Sequence, residues 1–175
     1  MAAAGFDLEV LIEEPGWTAA VGDAPALCQG AAAAAWAMVA PSLPWSPNET
    51  AEACLVLASD ERVRALNREF RGRDEPTDVL SFPAFDTDVL AAAGADTPPL
   101  LLGDIIIALQ TTLADAKRDG KPAADHLRHL VVHGILHLLG HDHQQEDAAA
   151  DMEALEARIL AGLGIADPYG AVDQP

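Results

Sequence analysis

Apolar residues recur along the chain with two different periods, which predicts strands in some segments and helices in others. Residues 6–13 alternate almost strictly between apolar and polar, as a half-buried strand does, with Leu8, Val10 and Ile12 facing inward. Ala53–Ala58 is a continuous apolar run of strand length and predicts a central strand. Further strands are expected at 77–82 and 101–109. The pattern thus predicts a sheet of about four strands.

Residues with strong capping preferences mark where the helices begin and end. Asp23, with Pro25 in the first turn, predicts one helix start. Ser59 or Asp60 predicts another, and Gly72 its end. Three more helical segments follow, at 111–120, 122–139 and 146–163. The stretch 41–50 is expected to be a loop, and 84–99 a flexible excursion. This order of elements predicts one α+β domain over residues 1–175, a small mixed β-sheet covered by helices.

The charge of the chain limits the partners that it can bind without help. Ten Lys and Arg against 28 Asp and Glu give a formal net charge of −18, which opposes nonspecific binding to nucleic acid or anionic lipid. The cations nevertheless cluster, because all but Arg158 fall in two windows, 62–73 and 117–128. If these windows meet in the fold, they form a positive surface on an acidic protein.

Several features favour a cytoplasmic protein. Cys28 and Cys54 are far apart in the chain, which fits neither a disulfide framework nor a thiolate metal site. No basic residue precedes Arg62, so a secretory signal is not indicated. The longest apolar run, Ala31–Ala40, is too short to cross a bilayer, which takes about 20 residues. We therefore expect a cytoplasmic protein that does not enter a membrane.

All six histidines lie in one short part of the chain, between His126 and His143. His126, His129, His133 and His137 recur at spacings of three and four, so they share one face of the predicted helix 122–139. The other residues of this helix are apolar nearly all round, which predicts a central position. Buried imidazoles need partners, since an unsatisfied buried polar group costs about 1–3 kcal/mol.

Three of these histidines have the spacing of metal ligands. The stretch 133–143 reads H-G-I-L-H-L-L-G-H-D-H and contains the frame H-x-x-x-H-x-x-G-x-x-H, in which metzincin peptidases place three imidazoles around zinc. His133, His137 and His143 fill that frame and would leave a fourth position for water, as in a catalytic zinc site. His141 is the competitor for the third position, while His126 and His129 are expected to be satisfied core or supporting groups.

One position departs from the peptidase frame. The peptidases carry a glutamate general base directly after the first histidine, where this chain has Gly134. The glycine argues against ordinary peptide hydrolysis. It would leave room for a bulky substrate near the metal, or it would serve close helix packing.

Four motifs, in this order, resemble the YbeY family of metal-dependent endoribonucleases. They are N-R-E-F-R-G-R-D-E-P-T-D-V-L-S-F-P at 67–83, L-G-D-I-I-I at 102–107, the histidine motif at 133–143, and A-D-P-Y at 166–169. The resemblance implies a zincin-like metal-binding helix and a cytoplasmic bacterial hydrolase that cleaves single-stranded RNA. It further implies maturation of small-subunit ribosomal RNA ends and a part in ribosome quality control.

The resemblance also assigns roles to individual residues. It implies that His133, His137 and His143 hold one zinc ion (Zn2+) per chain and that Arg71 is the functional arginine. A planar guanidinium suits the neutralisation of charge on phosphodiester oxygens. The alternative for Arg71 is a surface ion pair with a neighbouring carboxylate, Asp74 or Glu75.

The remaining candidates line or support the site. Asp142, between two histidines, is expected to orient His143. Asp78 and Ser81 are expected to line the cleft on the strength of the motif resemblance alone. The residues do not identify a general base, and nickel or another divalent ion could replace zinc on imidazole ligands.

Two other functions stay open. One is a ribosome-assembly binding factor whose zinc is structural, which the missing glutamate and the net acidity favour. The other is a zinc metallopeptidase, which the ligand spacing favours. The expected partners are single-stranded ribosomal RNA, the small ribosomal subunit and a basic ribosomal protein. That protein is expected to dock on the acidic residues of the last helix: Glu146, Asp147, Asp151, Glu153 and Glu156.

Overall fold

A four-stranded mixed sheet organises the structure, a computed structural model that describes residues 5–43, 50–84, 100–141 and 145–169. The strands are β1 (Phe6–Ile12), β2 (Ala51–Ala58), β3 (Val79–Pro83) and β4 (Leu100–Ala108). Their order is β1-β2-β4-β3; β1, β2 and β4 run parallel, and β3 is antiparallel to β4. The predicted α+β class and the number of strands are confirmed. Most of the two predicted loop stretches lies outside the described residues, as do Asp142 and His143.

Six helices surround this sheet in the described part of the chain. They are α1 (Gly16–Val21), α2 (Ala24–Val39), α3 (Asp60–Arg71), α4 (Leu109–Arg118), α5 (Ala123–Leu138) and α6 (Glu146–Gly162), and a 3-10 turn follows α2 at Ala40–Ser42. Five of the helices were predicted, and the short α1, which buries Trp17, was not. None of the helices in the described ranges is long and apolar enough to span a bilayer.

The predicted capping residues end and begin the helices as expected. The Asp23 side chain accepts a hydrogen bond from the Ala26 amide at the start of α2. Ser59, rather than Asp60, caps α3, and Gly72 ends it in the left-handed conformation at φ 69°. The Asp60 carboxylate instead accepts hydrogen bonds from the backbone amide and the hydroxyl of Thr111, at 2.8 and 2.7 Å. Asp60 therefore ties α3 to α4.

The two faces of the sheet carry different helices. Because side chains alternate along a strand, Ile105 and Ile107 of β4 join the larger core that contains α5, whereas Ile106 and Ala108 pack with Val63 of α3 on the opposite face. β3 is an edge strand of the sheet, at the opposite edge from β1. A cleft along β3 is consequently bordered by α3 on one side and α5 on the other.

The alternating pattern of β1 predicts more burial than the structure shows. Leu8 is buried as predicted and Val10 is half-buried, but Ile12 is 39% exposed. β1 is an edge strand, and Ile12 is its last residue, where the chain turns toward α1. The prediction that Ile12 faces inward is wrong because the core does not extend to that end of the strand.

Candidate functional site

The cleft along β3 is a cavity of about 830 Å³. Its walls come from α3 and the segment after it, from β3, and from the end of α5. The residues that line it and carry polar side chains include Asn67, Arg71, Arg73, Glu75, Thr77, Asp78, Ser81, His133, His137 and His141. Six candidate site residues from the sequence thus meet at one cavity although they come from separate segments: Arg71, Asp78, Ser81, His133, His137 and His141.

Two imidazoles of α5 converge on one point. His133 and His137 are one helical turn apart, and their Nε2 atoms lie 3.0 Å from each other. Two nitrogens bound at 2.0–2.1 Å to a tetrahedral zinc ion are about 3.3 Å apart, so this spacing fits a shared ion. The helix ends just beyond, at Leu138, and the positive φ of 94° at Gly140 turns the chain back. His143 would follow this turn but lies outside the described residues, and its role as third ligand stays a prediction.

A buried carboxylate fixes the orientation of His133. Glu156, on α6, has no exposed surface, and its Oε1 accepts a hydrogen bond from His133 Nδ1 at 2.5 Å. This bond places the proton on Nδ1 and leaves the Nε2 lone pair directed at His137. Metal-binding histidines in proteins are held by carboxylates in this way, which raises their basicity as ligands.

The second oxygen of Glu156 is also occupied. Its Oε2 accepts a hydrogen bond from the Tyr169 hydroxyl at 2.5 Å and lies 3.1 Å from His129 Nε2. Burial by itself raises the pKa of the Glu156 carboxyl, but the hydrogen bonds from His129, His133 and Tyr169 lower it to about 2. Burial and the neighbouring carboxylate raise the pKa of Tyr169. Glu156 is therefore ionised at neutral pH and Tyr169 is a hydrogen-bond donor.

Glu156 is not available for docking a basic protein, as the sequence predicts for the acidic residues of the last helix, because it is fully buried. The sequence does contain a sign of this burial, because Glu156 lies at helical spacing between the buried residues Met152 and Ile159. The other four acids of that set are exposed, and they are called the acidic face below: Glu146, Asp147, Asp151 and Glu153.

Arg71 ends α3 with its guanidinium at the cavity. Its Nη2 donates a hydrogen bond to the Ser81 carbonyl oxygen at 3.2 Å, and its Cζ lies 5.9 Å from the centre of the Phe82 ring. The alternative ion pair with Asp74 is not formed, because Arg64 occupies that carboxylate with two hydrogen bonds. Arg71 makes no ion pair with any described residue. Its charge is therefore directed to whatever enters the cleft.

The two cationic windows do not merge at the cleft. Of the first window, Arg71 and Arg73 line the cavity, and none of the cations of the second window does so. Several of the others are neutralised by nearby acids in the pairs Arg62–Glu13, Arg64–Asp74, Arg118–Asp115 and Arg128–Asp125. The positive charge of the two windows at the cavity therefore comes from Arg71 and Arg73.

Gly134 is explained by packing rather than by substrate space. A Cβ at this position would lie 2.9 Å from Ile105 Cδ1 and 3.0 Å from its Cγ2. The glycine thus allows α5 to lie close against β4, which brings His133 and His137 to the edge of the sheet. Of the two roles predicted for Gly134, the structure supports close helix packing.

The other two histidines of α5 differ from each other. His129 contacts Glu156 and Tyr169 through its Nε2 and so supports the carboxylate, as expected for a supporting group. His126 was expected to be satisfied, but neither of its ring nitrogens has a hydrogen-bond partner among the described residues.

Comparison with known proteins gives a consistent result. A family model described as Endoribonuclease YbeY matches residues 31–164. A protein of Paramagnetospirillum magneticum named Endoribonuclease YbeY is 50% identical over 166 residues, covering 94% of this chain and 96% of its own. One of the same name from Azorhizobium caulinodans is 47% identical over 164 residues, with coverage of 94% and 96%.

A solved structure supports the fold alone. The solution structure of a Thermotoga maritima protein superimposes with a TM-score of 0.55 and 22% sequence identity. The match covers 93% of this chain and 99% of that one. The arrangement of sheet and helices is thus shared well beyond the segment that carries the histidines.

Proposed function

Because this chain belongs to the Endoribonuclease YbeY family, we propose that it is a zinc-dependent hydrolase that cleaves phosphodiester bonds in single-stranded RNA. One observation carries the proposal. The Nε2 atoms of His133 and His137 converge at 3.0 Å in the same cavity that the Arg71 guanidinium enters. This arrangement offers a site for a metal ion beside a site for a phosphate.

The donor set fits zinc. Two imidazoles converge by their Nε2 atoms, one of them is oriented by an ionised carboxylate, and His143 would supply the third nitrogen. Zinc in such a site acts as a Lewis acid and lowers the pKa of its water to about 7. The buried surroundings of Glu156 keep His133 in the tautomer that such binding needs.

The residues of the chain itself position the RNA. Arg71, anchored by the Ser81 carbonyl, neutralises charge that develops on the phosphate oxygens, and Arg73 adds a second cation at the same wall. Asp78 accepts a hydrogen bond from the Val79 amide and so fixes the entry of β3. A cleft that follows one strand and carries two arginines suits a single RNA strand with its bases unstacked.

The substrate proposed is ribosomal RNA of the small subunit, cleaved during its maturation and in ribosome quality control. A formal net charge of −18 repels free RNA, so productive binding needs a partner that brings the two together. The acidic face offers four exposed carboxylates on one helix for a basic ribosomal protein. We infer that the enzyme works in the cytoplasm, where that substrate is.

Cleavage of a labelled single-stranded ribosomal RNA fragment by the zinc-loaded protein tests the proposal. We expect cleavage of the single strand, little cleavage of the same sequence in a duplex, and loss of cleavage in His133→Ala. Cleavage that persists in His133→Ala would reveal a contaminating nuclease, and Glu153→Gln, an exposed change outside the cavity lining, is the control that should cleave like the wild type. Zinc-loaded protein that binds small subunits but never cuts RNA would favour the binding factor, and hydrolysis of an unfolded protein would favour the peptidase.

A further inference from the structure

Three potential metal ligands meet near the start of α5, away from the end that carries His137. Asp78 precedes β3, Asp115 lies in α4 and His126 in α5. One ligand atom from each lies within 4.8 Å of the others. The chain thus brings two carboxylates and an imidazole together from three elements that are separate in sequence.

His126 is the member of this group that needs an explanation. It is only 7% exposed, and neither of its ring nitrogens has a hydrogen-bond partner among the described residues. A buried polar group without a partner costs about 1–3 kcal/mol. Burial, together with neighbouring His129, lowers the pKa of His126, so the ring is neutral at pH 7. A neutral imidazole beside two carboxylates is a ligand for a cation.

We propose that Asp78, Asp115 and His126 bind a second divalent metal ion, of the kind that accepts mixed oxygen and nitrogen ligands, such as Mn2+ or Zn2+. Ligand atoms about 2.1 Å from an octahedral ion are about 3.0 Å apart when adjacent and about 4.2 Å apart when opposite. The three ligand atoms lie within 4.8 Å of one another, so they would draw together to reach those separations when the ion binds.

The present contacts of the two carboxylates permit this binding. Asp78 Oδ1 accepts a hydrogen bond from the Val79 amide, and Asp115 Oδ1 accepts one from Arg118 Nη1 at 3.0 Å. Each of these bonds uses one oxygen of the carboxylate. The Arg118 side chain is 68% exposed and also pairs with Asp119, so its contact with Asp115 contributes little and can be exchanged.

The second ion would not share a phosphate with the first. His126 precedes His133 by seven residues, which is about 10.5 Å along the helix axis. Two-metal catalytic centres hold their ions about 3.5–4 Å apart. Asp78, however, also lines the cleft. The second ion would therefore link the part of the cleft wall that Asp78 forms to α4 and α5. The proposal of a second metal site does not depend on the proposed RNA cleavage.

Metal binding by the full-length protein tests the second site. The protein is loaded with one equivalent of zinc, which occupies the stronger imidazole site and is not displaced by manganese. Mn2+ is then titrated into the protein, and the concentration of free Mn2+ is followed by electron paramagnetic resonance. A parallel titration uses Zn2+ in place of Mn2+. We expect the wild type to take up one further ion per chain. Asp115→Asn and His126→Asn should lose at least tenfold in affinity for it.

The controls separate binding from misfolding. Asp147→Asn, an exposed change on α6 outside the group of three ligands, should bind the second ion as the wild type does. Asp115→Asn alters a side chain that is 21% exposed, so the test survives if His126→Asn fails to fold. The proposal is wrong if the wild type binds neither ion beyond the first equivalent, or if both variants retain wild-type affinity.

Discussion

Replacing Glu156 by glutamine tests how the carboxylate prepares His133 for its metal. Gln has nearly the same shape as Glu but has one acceptor oxygen and one amide donor. In the protein, the two carboxylate oxygens accept hydrogen bonds from His133 and Tyr169 and contact His129. The amide cannot accept from all of these groups. If its NH2 faces His133 Nδ1, the imidazole proton must move to Nε2, and the lone pair directed at His137 is lost.

The expected loss is moderate and specific to the metal. Removing the partner of a metal-bound histidine typically weakens metal affinity 10–100-fold, which is about 1.4–2.7 kcal/mol. A loss is expected even if the amide oxygen keeps the bond to His133, because the negative charge that raises the basicity of the ring is gone. We expect the zinc Kd of Glu156→Gln to rise within that range. RNA cleavage should fall at limiting zinc and recover with excess zinc.

Competition with a chromophoric chelator measures the zinc Kd directly. Glu153→Gln, one turn earlier on the same helix and exposed, is the matched control and should bind zinc like the wild type. Far-ultraviolet circular dichroism shows whether both variants keep their helices. A Glu156→Gln protein that is folded and binds zinc with wild-type affinity would refute the idea that this carboxylate orients His133.

Three further outcomes are expected from other parts of the molecule. Arg71→Ala should lower kcat for RNA cleavage by at least tenfold without changing zinc content, whereas Arg68→Ala, on the same helix but outside the cavity lining, should not; equal effects in a cleavage assay would contradict the role given to Arg71. Gly134→Ala should destabilise the fold by about 1–3 kcal/mol in urea unfolding, because the added Cβ would meet a buried isoleucine at 2.9 Å. The matched change Gly30→Ala, with nothing within 4 Å of the added Cβ, should be neutral or stabilise the helix by up to about 1 kcal/mol; the packing argument is wrong if the two glycine variants unfold alike. Neutralising all four carboxylates of the acidic face should weaken sedimentation with small ribosomal subunits and reduce its salt dependence, and unchanged binding would remove the acidic face as a docking surface.

Much of the fold could be predicted because its signals are local. The caps at Asp23 and Ser59 and the stop at Gly72 depend on residues within one or two turns, and the structure has them where the sequence indicates. The continuous apolar run of β2 likewise predicts a central strand. Ile12 shows the limit of this reasoning, because exposure at the end of an edge strand depends on which strands are neighbours.

The candidate site likewise has features that the sequence predicts and features that it does not. The spacing of His133 and His137 along one helix places their rings together, so their convergence follows from the sequence. The contact of Arg71 with the Ser81 carbonyl joins different elements, and motif resemblance brought both residues forward without predicting that they touch. Glu156 was missed because an acidic helix usually faces solvent, and only the packing of α6 against α5 shows that this one acid points inward.

The support of His133 comes from residues that follow it in the chain. Glu156 and Tyr169 follow His133 by 23 and 36 residues. A nascent polypeptide that stops before them therefore contains the paired imidazoles without the carboxylate that orients His133. Tight binding of a metal ion is therefore expected only once α6 has docked against α5.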